Sequence, residues 1–232
     1  MRRLGLLGGT FDPIHQGHID AAAAAHAALG LTDVWIVPSH RPPHRPQPVA
    51  SGYHRFAMVT LAVAGRAGWR ASDLELVRPE PSYTSETLAR LHAEGWRPDE
   101  LVFILGGDAF ADIESWHAFP DVLEMASFAV VSRPGVDALT LPTRLPAVTD
   151  RLSTSIEAAG PTTIVLLDRP TTDVSATAIR RRLADGQSIA GMVPAGVAQH
   201  IEQHGLYAAA SGDATGIPRP PTQPAARLHG KD

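Results

Sequence analysis

Short apolar runs alternate along the chain with longer stretches of helical period. Leu4–Leu7 reads as a strand, and the alanine-rich segment Gly17–Leu29 as a helix stopped by Gly30. Val34–Val37 reads as a second strand, closed by Pro38 and a proline-rich basic loop, "PSHRPPHRPQP". A helix is predicted from about Gly52 to Arg66, with Phe56, Val59, Leu61 and Val63 among its apolar positions. Leu74–Val77 fits a strand, and Tyr83–His92 a helix with Ser82 or Thr84 available as its cap. The continuous apolar runs Leu101–Leu105, Phe128–Val131 and Ile164–Leu167 are of the kind that a strand covered on both faces requires.

This βα alternation predicts an α/β fold, a Rossmann-like open and mostly parallel sheet with helices on both faces. Ligands then bind beyond the carboxyl ends of the strands. The polar stretches "GGTFDPIHQGH", "PSHRPPHR", "GGDAF" and "SRPG" each directly follow a strand run, so all four are expected to face one crevice. Residues 1–207 read as one domain. From Ala208 to Asp232 periodicity is lost among Pro, Gly and Ala, and this stretch reads as a disordered tail.

Composition narrows the chemistry. A net charge of -4 opposes a role in coating nucleic acid. The absence of cysteine excludes disulfides, thiolate nucleophiles and cysteine-based metal sites. The four-residue apolar run near the N-terminus is too short for a signal peptide, and no later run approaches a membrane span, so a cytoplasmic protein is expected. Lys231 is the only lysine, which removes Schiff-base chemistry and a Walker-type lysine from the mechanisms open to residues 1–207. Any phosphate must be held by arginine, histidine or backbone amides.

The turn at Gly8 and Gly9 supplies such amides. It lets the backbone approach a ligand closely, and the following helix N-terminus presents unpaired N–H groups with a positive dipole end. His15 and His18 flank that mouth, where each ring can donate a hydrogen bond to a phosphate. Two histidines with Asp12 as a third ligand could instead hold zinc, and Asp12-Pro13 also suits a plain helix start. Trp116 could be a core aromatic, Asp108 a helix cap, and Arg181 and Arg182 a solvated face.

Together these residues carry a resemblance. "GGTFDPIHQGH" resembles the first signature of the nucleotidyltransferase superfamily, G-[ST]-F-D-P-x-H-x-G-H, and "VSATAIRRRL" (174–183) looks like its second, I-S-[AST]-T-x-[IL]-R. "PSHRPPHR", "PSYTSETL" (81–88), "LGGDAFADIESWHAF" (105–119) and "SRPG" resemble segments of the bacterial nicotinate-nucleotide adenylyltransferases, over roughly residues 3–207. The resemblance implies transfer of the adenylyl group of ATP to nicotinate mononucleotide, yielding deamido-NAD and pyrophosphate, with no covalent enzyme intermediate. Its catalytic groups would be His15, His18 and Arg180. Gly8, Gly9, Thr10, Phe11, Ser175 and Thr177 would bind ATP. Trp116 would stack on the pyridine ring, Thr84 would meet the nicotinate carboxylate and Asp108 a ribose, while His44, Arg45, His117 and Arg133 complete the acceptor site. Mg²⁺ is expected on the ATP phosphates rather than in a protein cage. His117 departs from the tyrosine that many relatives carry. Nicotinamide mononucleotide or another phosphorylated acceptor, and a non-catalytic nucleotide-binding protein, stay open as alternatives.

Overall fold

The computed structural model describes residues 2–42, 46–135, 137–156 and 161–209. Seven strands form one sheet in the order β3-β2-β1-β4-β5-β7-β6. They are β1 (Leu4–Gly9), β2 (Asp33–Pro38), β3 (Trp69–Ala71), β4 (Leu101–Gly106), β5 (Ser127–Val131), β6 (Leu152–Ser153) and β7 (Ile164–Leu167). Every pairing is parallel, with Leu4 beside Asp33 on one side of β1 and beside Leu101 on the other. The helices are α1 (Gln16–Leu29), α2 (Gly52–Val63), α3 (Thr84–Ala93), α4 (Gly107–Phe110), α5 (Leu141–Arg144), α6 (Ala176–Ala184) and α7 (Ala195–Gln203).

Strand periodicity divides the core in two. Leu7, Val34, Ile36, Val102, Ile104, Ala129, Val131 and Val165 face one layer with buried residues of α1, α2, α6 and α7. Leu4, Leu6, Leu101, Phe103, Leu105, Phe128 and Val130 face the other, against Leu88 and Leu91 of α3 and Phe110 of α4. Successive side chains of a strand point to opposite faces, so an unbroken apolar run is what two covered faces demand. In α1 the buried Ala21, Ala22 and Ala25 keep the helix close to the sheet, and Gly30 ends it in the left-handed region at φ 59.

Three local expectations change. Leu74–Val77 is a turn rather than a strand: Leu76 and Val77 both donate to the Asp73 carbonyl, and Val77 is exposed. The strand lies earlier, at Trp69–Ala71, where it pairs with β2. In α2, which ends at Val63, the buried face is Arg55, Met58, Val59, Ala62 and Val63, while Leu61 is exposed. Neither Ser82 nor Thr84 caps α3; Tyr83 holds that position without a side-chain cap bond. The expected tail begins with Ala208 and Ala209 outside any helix or strand, and from residue 210 it lies outside the described residues.

Candidate active site

At the carboxyl ends of the strands, a cleft of about 170 Å³ is lined by Gly17 after β1, Asp108 after β4, Arg133 and Pro134 after β5, and Thr171–Ser175 after β7. Parallel strands joined by crossover connections bring these four segments to one edge of the sheet.

The glycine turn is shaped by its neighbours. A Cβ on Gly9 would fall 2.9 Å from the Phe11 ring and force it to move, and one on Gly8 would press on that of Phe103 at 3.1 Å, so the turn is tightly packed at both positions. Phe11 is buried with φ 50 and packs edge-on against His18, which leaves only its main chain for a ligand. The His15 and His18 rings stack with centroids 3.6 Å apart. The His18 Nδ1 accepts the backbone N–H of His15 at 3.2 Å, so a neutral His18 carries its proton on Nε2. The His15 Nδ1 is buried with no hydrogen-bond partner among the described residues. Burial pushes the His15 imidazole down to about 4; the charge of Arg133 acts in the same sense and Asp20 opposes it. His15 is therefore a neutral hydrogen-bonding group at pH 7, not a fixed positive charge.

Asp12 is structural. Its carboxylate accepts the N–H groups of Val49 and Ala50 at 2.7 and 3.0 Å and the Tyr207 hydroxyl at 2.8 Å. These three bonds occupy both carboxylate oxygens, so zinc ligation with the histidine pair would have to compete with them. Burial, then the charge and hydrogen bond of Asp12, push the Tyr207 phenol far up, so it remains a donor across the working pH range. Beside it, the buried Arg55 guanidinium donates to the carbonyls of Thr10 and Ser39, both at 2.7 Å, and to that of Ala50 at 3.3 Å. Burial lowers its pKa, against the charge of Asp12.

The second signature closes the cleft from the other side. The Ser175 hydroxyl accepts the Ala178 N–H and caps α6. Arg180 donates from Nη1 to the Asp12 carbonyl at 2.8 Å, and its Nη2 lies 3.4 Å from the Thr177 hydroxyl. Thr172 donates twice to Asp20 of α1, fastening the approach to α6 onto the first helix. Partial burial acts to raise the Asp20 carboxyl, but its bonds from Thr172 and Gln16 outweigh that and leave it below the usual range. Arg181 is exposed; Arg182 donates to the Ser188 carbonyl.

Asp108 is not the cap of α4, a place held by Gly106. Its carboxylate lies 3.4 Å from Arg133 instead, in a space where a Cβ on Gly106 would come within 2.5 Å of Asp108 and 2.8 Å of Arg133. Trp116 is partly buried and edge-on to Phe103, which ties it to the glycine turn. His117 stacks on Tyr83 and shares a 2.9 Å hydrogen bond with Ser85, so the 105–119 segment locks onto the residues either side of Thr84. The Ser82 hydroxyl in turn accepts the N–H of His40, linking this segment to the loop after β2. His44 and Arg45 lie outside the described residues.

The cytidylyltransferase-like family model matches residues 6–182. A Pseudomonas fluorescens protein named "Probable nicotinate-nucleotide adenylyltransferase" is 40% identical over 213 residues, 90% of this chain and 98% of the relative. One of the same name from Cronobacter sakazakii is 42% identical over 208 residues, 86% of this chain and 93% of the relative. The chain belongs to the nicotinate-nucleotide adenylyltransferase family. The fold is likewise that of a Plasmodium falciparum nicotinic acid mononucleotide adenylyltransferase solved with NaAD, at TM-score 0.69 and 17% identity, covering 89% of this chain and 98% of that one. The same enzyme solved with APC gives a TM-score of 0.68 at 18% identity and the same coverages.

Within this nicotinate-nucleotide adenylyltransferase fold, sequence reasoning missed the two groups that hold the glycine turn, Arg55 and Tyr207. Arg55 did leave a signal: it shares a helical stripe with Met58, Val59 and Ala62, a place where a charge must find buried partners. Tyr207 left none, because its partner stands 195 residues upstream.

Proposed function

We propose that the chain transfers the adenylyl group of ATP to nicotinate mononucleotide, releasing pyrophosphate and forming deamido-NAD. The observation that carries this is the cleft where Gly17, between the two stacked histidines, meets the Asp108–Arg133 pair and the N-terminal end of α6, in a chain about 40% identical to relatives of that name. The acceptor's phosphate attacks the α-phosphorus of ATP in line. A phosphate monoester dianion needs little deprotonation, so no general base is required. The protein aligns two anions that repel each other and stabilises charge on the reacting phosphates.

In this reading His18 donates from Nε2 and the neutral His15 donates beside it. Arg180, Ser175 and Thr177 meet the ATP phosphates with the first turn of α6, and the main chain of Gly8–Phe11 borders the nucleotide. Trp116 and Thr84 receive the nicotinate ring and its carboxylate, Asp108 a ribose, and Arg133, His44 and Arg45 the acceptor phosphate. His117 acts by holding Ser85 and Tyr83 in place around Thr84. The carboxylates of Asp12 and Asp20 are already engaged by protein donors, so Mg²⁺ enters as Mg·ATP, held by phosphate and water. Residues 1–207 form the catalytic unit, working in the cytoplasm where ATP is made and spent.

Pyrophosphate release from Mg·ATP, compared among nicotinate mononucleotide, nicotinamide mononucleotide and phosphopantetheine, tests the proposal. Strong preference for the nicotinate form is expected. Equal use of both pyridines would refute the carboxylate role of Thr84, and release with none of the three would refute the reaction.

A further inference from the structure

Where α2 packs against α7, three histidines converge: His54 of α2, His200 of α7, and His204 just past the last turn of α7. Their ligand nitrogens all lie within 4.8 Å of one another. The His54 Nδ1 and His200 Nε2 are 3.1 Å apart, and the His204 ring centroid stands 4.9 Å from that of His54 and 4.4 Å from that of His200. No motif of the proposed reaction includes them.

We propose that His54, His200 and His204 form a binding site for a zinc-class divalent transition-metal ion. The donor chemistry supports the ion class. Three imidazole nitrogens without a carboxylate or thiolate suit Zn²⁺ and its neighbours, and do not suit Mg²⁺ or Ca²⁺. Tetrahedral zinc with Zn–N bonds of about 2.0–2.1 Å sets its ligand nitrogens about 3.3–3.4 Å apart, close to the His54–His200 spacing. His200 and His204 are one helical turn apart on a single face, so small side-chain rotations bring the third nitrogen in. His204 is exposed, which leaves the fourth position to water.

A hydrogen bond between His54 and His200 accounts for two of the rings, and helical spacing sets His204 beside His200; the proximity of His204 to His54 as well completes a three-nitrogen set. An ion here would clamp α2 to α7. Arg55 is the residue after His54, and Tyr207 lies three residues beyond His204, so the clamp would brace the two groups that hold the glycine turn.

The test uses full-length protein without a polyhistidine tag, titrated with Zn²⁺ against a chromophoric chelator, and with Co²⁺ as a spectroscopic probe. One equivalent of metal, a four-coordinate Co²⁺ absorption band and a higher Tm in Zn²⁺ are expected. His200→Gln and His204→Gln should each weaken binding by more than about tenfold and abolish the rise in Tm. His18→Ala should leave binding unchanged. The exposed His204 makes its variant informative even if His200→Gln fails to fold. No saturable binding, binding that survives His204→Gln, or binding lost in His18→Ala would overturn the site.

Discussion

Replacing Tyr207 with Phe removes one oxygen atom and tests whether the turn at Asp12 is held from the far end of the domain. The hydroxyl donates to the Asp12 Oδ1 at 2.8 Å. A hydrogen bond to a charged group contributes about 1.5–3 kcal/mol. Asp12 would keep the N–H groups of Val49 and Ala50 and the Arg180 guanidinium 3.9 Å away, so its charge would not be stranded. The expected loss is therefore smaller than for a stranded charge, about 1–2 kcal/mol. In a domain of this size each kcal/mol moves Tm by about 2–4 °C, which gives a drop of about 2–8 °C in a calorimetric scan. Because the phenol stays protonated, the drop should be the same at pH 6 and pH 9. A cycle with Asp12→Asn isolates the pair: coupling of about 1 kcal/mol is expected, as for other groups in contact. An unchanged Tm, or strict additivity in the cycle, would refute the idea that Tyr207 supports the turn.

Other predictions follow from the site. His15 in the unfolded chain takes up a proton near its ordinary pKa of 6.5, but in the folded protein only near 4. Its contribution to stability is thus complete above pH 6.5 and lost as pH falls toward 4, about 3 kcal/mol in all. An NMR titration of its ring, assigned with His15→Asn, should show a midpoint near 4; one near 6.5 would refute its burial in solution. His18→Ala should leave the protein folded but lower kcat by about 10²–10³, and near-normal turnover in the folded variant would remove it from the phosphate site. Gly106→Ala should separate Asp108 from Arg133 at a cost of about 1 kcal/mol in stability, while the KM for nicotinate mononucleotide rises; an unchanged KM would show that the pair need not stand where it does.

The sheet was legible because its strands are buried on both faces. Runs such as Leu101–Leu105 and Phe128–Val131 have few other homes, and the glycine turn, Ser175 and Gly30 mark their boundaries by local stereochemistry. Leu74–Val77 misled because three apolar residues among four do not reveal whether the chain has turned, and Asp73 turns it here. The segment that does pair, Trp69–Ala71, is three residues long and holds an arginine, so it lacks strand periodicity. Within the site, the groups on the two signatures were legible because helix mouths follow from local sequence. The Asp108–Arg133 pairing, the His117 contacts and the Arg55–Asp12–Tyr207 network depend on long-range packing that leaves almost no pattern along the chain.

The order of the sheet has a consequence for how the molecule is made. β1 lies inside the sheet, but its second neighbour, β4, begins 92 residues after β1 ends, the longest such interval in the sheet. At a synthesis rate of about 5–20 residues per second, β1 waits about 5–20 s with one hydrogen-bonding edge open. During that wait an apolar strand offers an open edge to any other extended chain. Newly made chains should therefore be most prone to mispairing, and most in need of chaperone cover, while β2, α2 and α3 are still emerging from the ribosome.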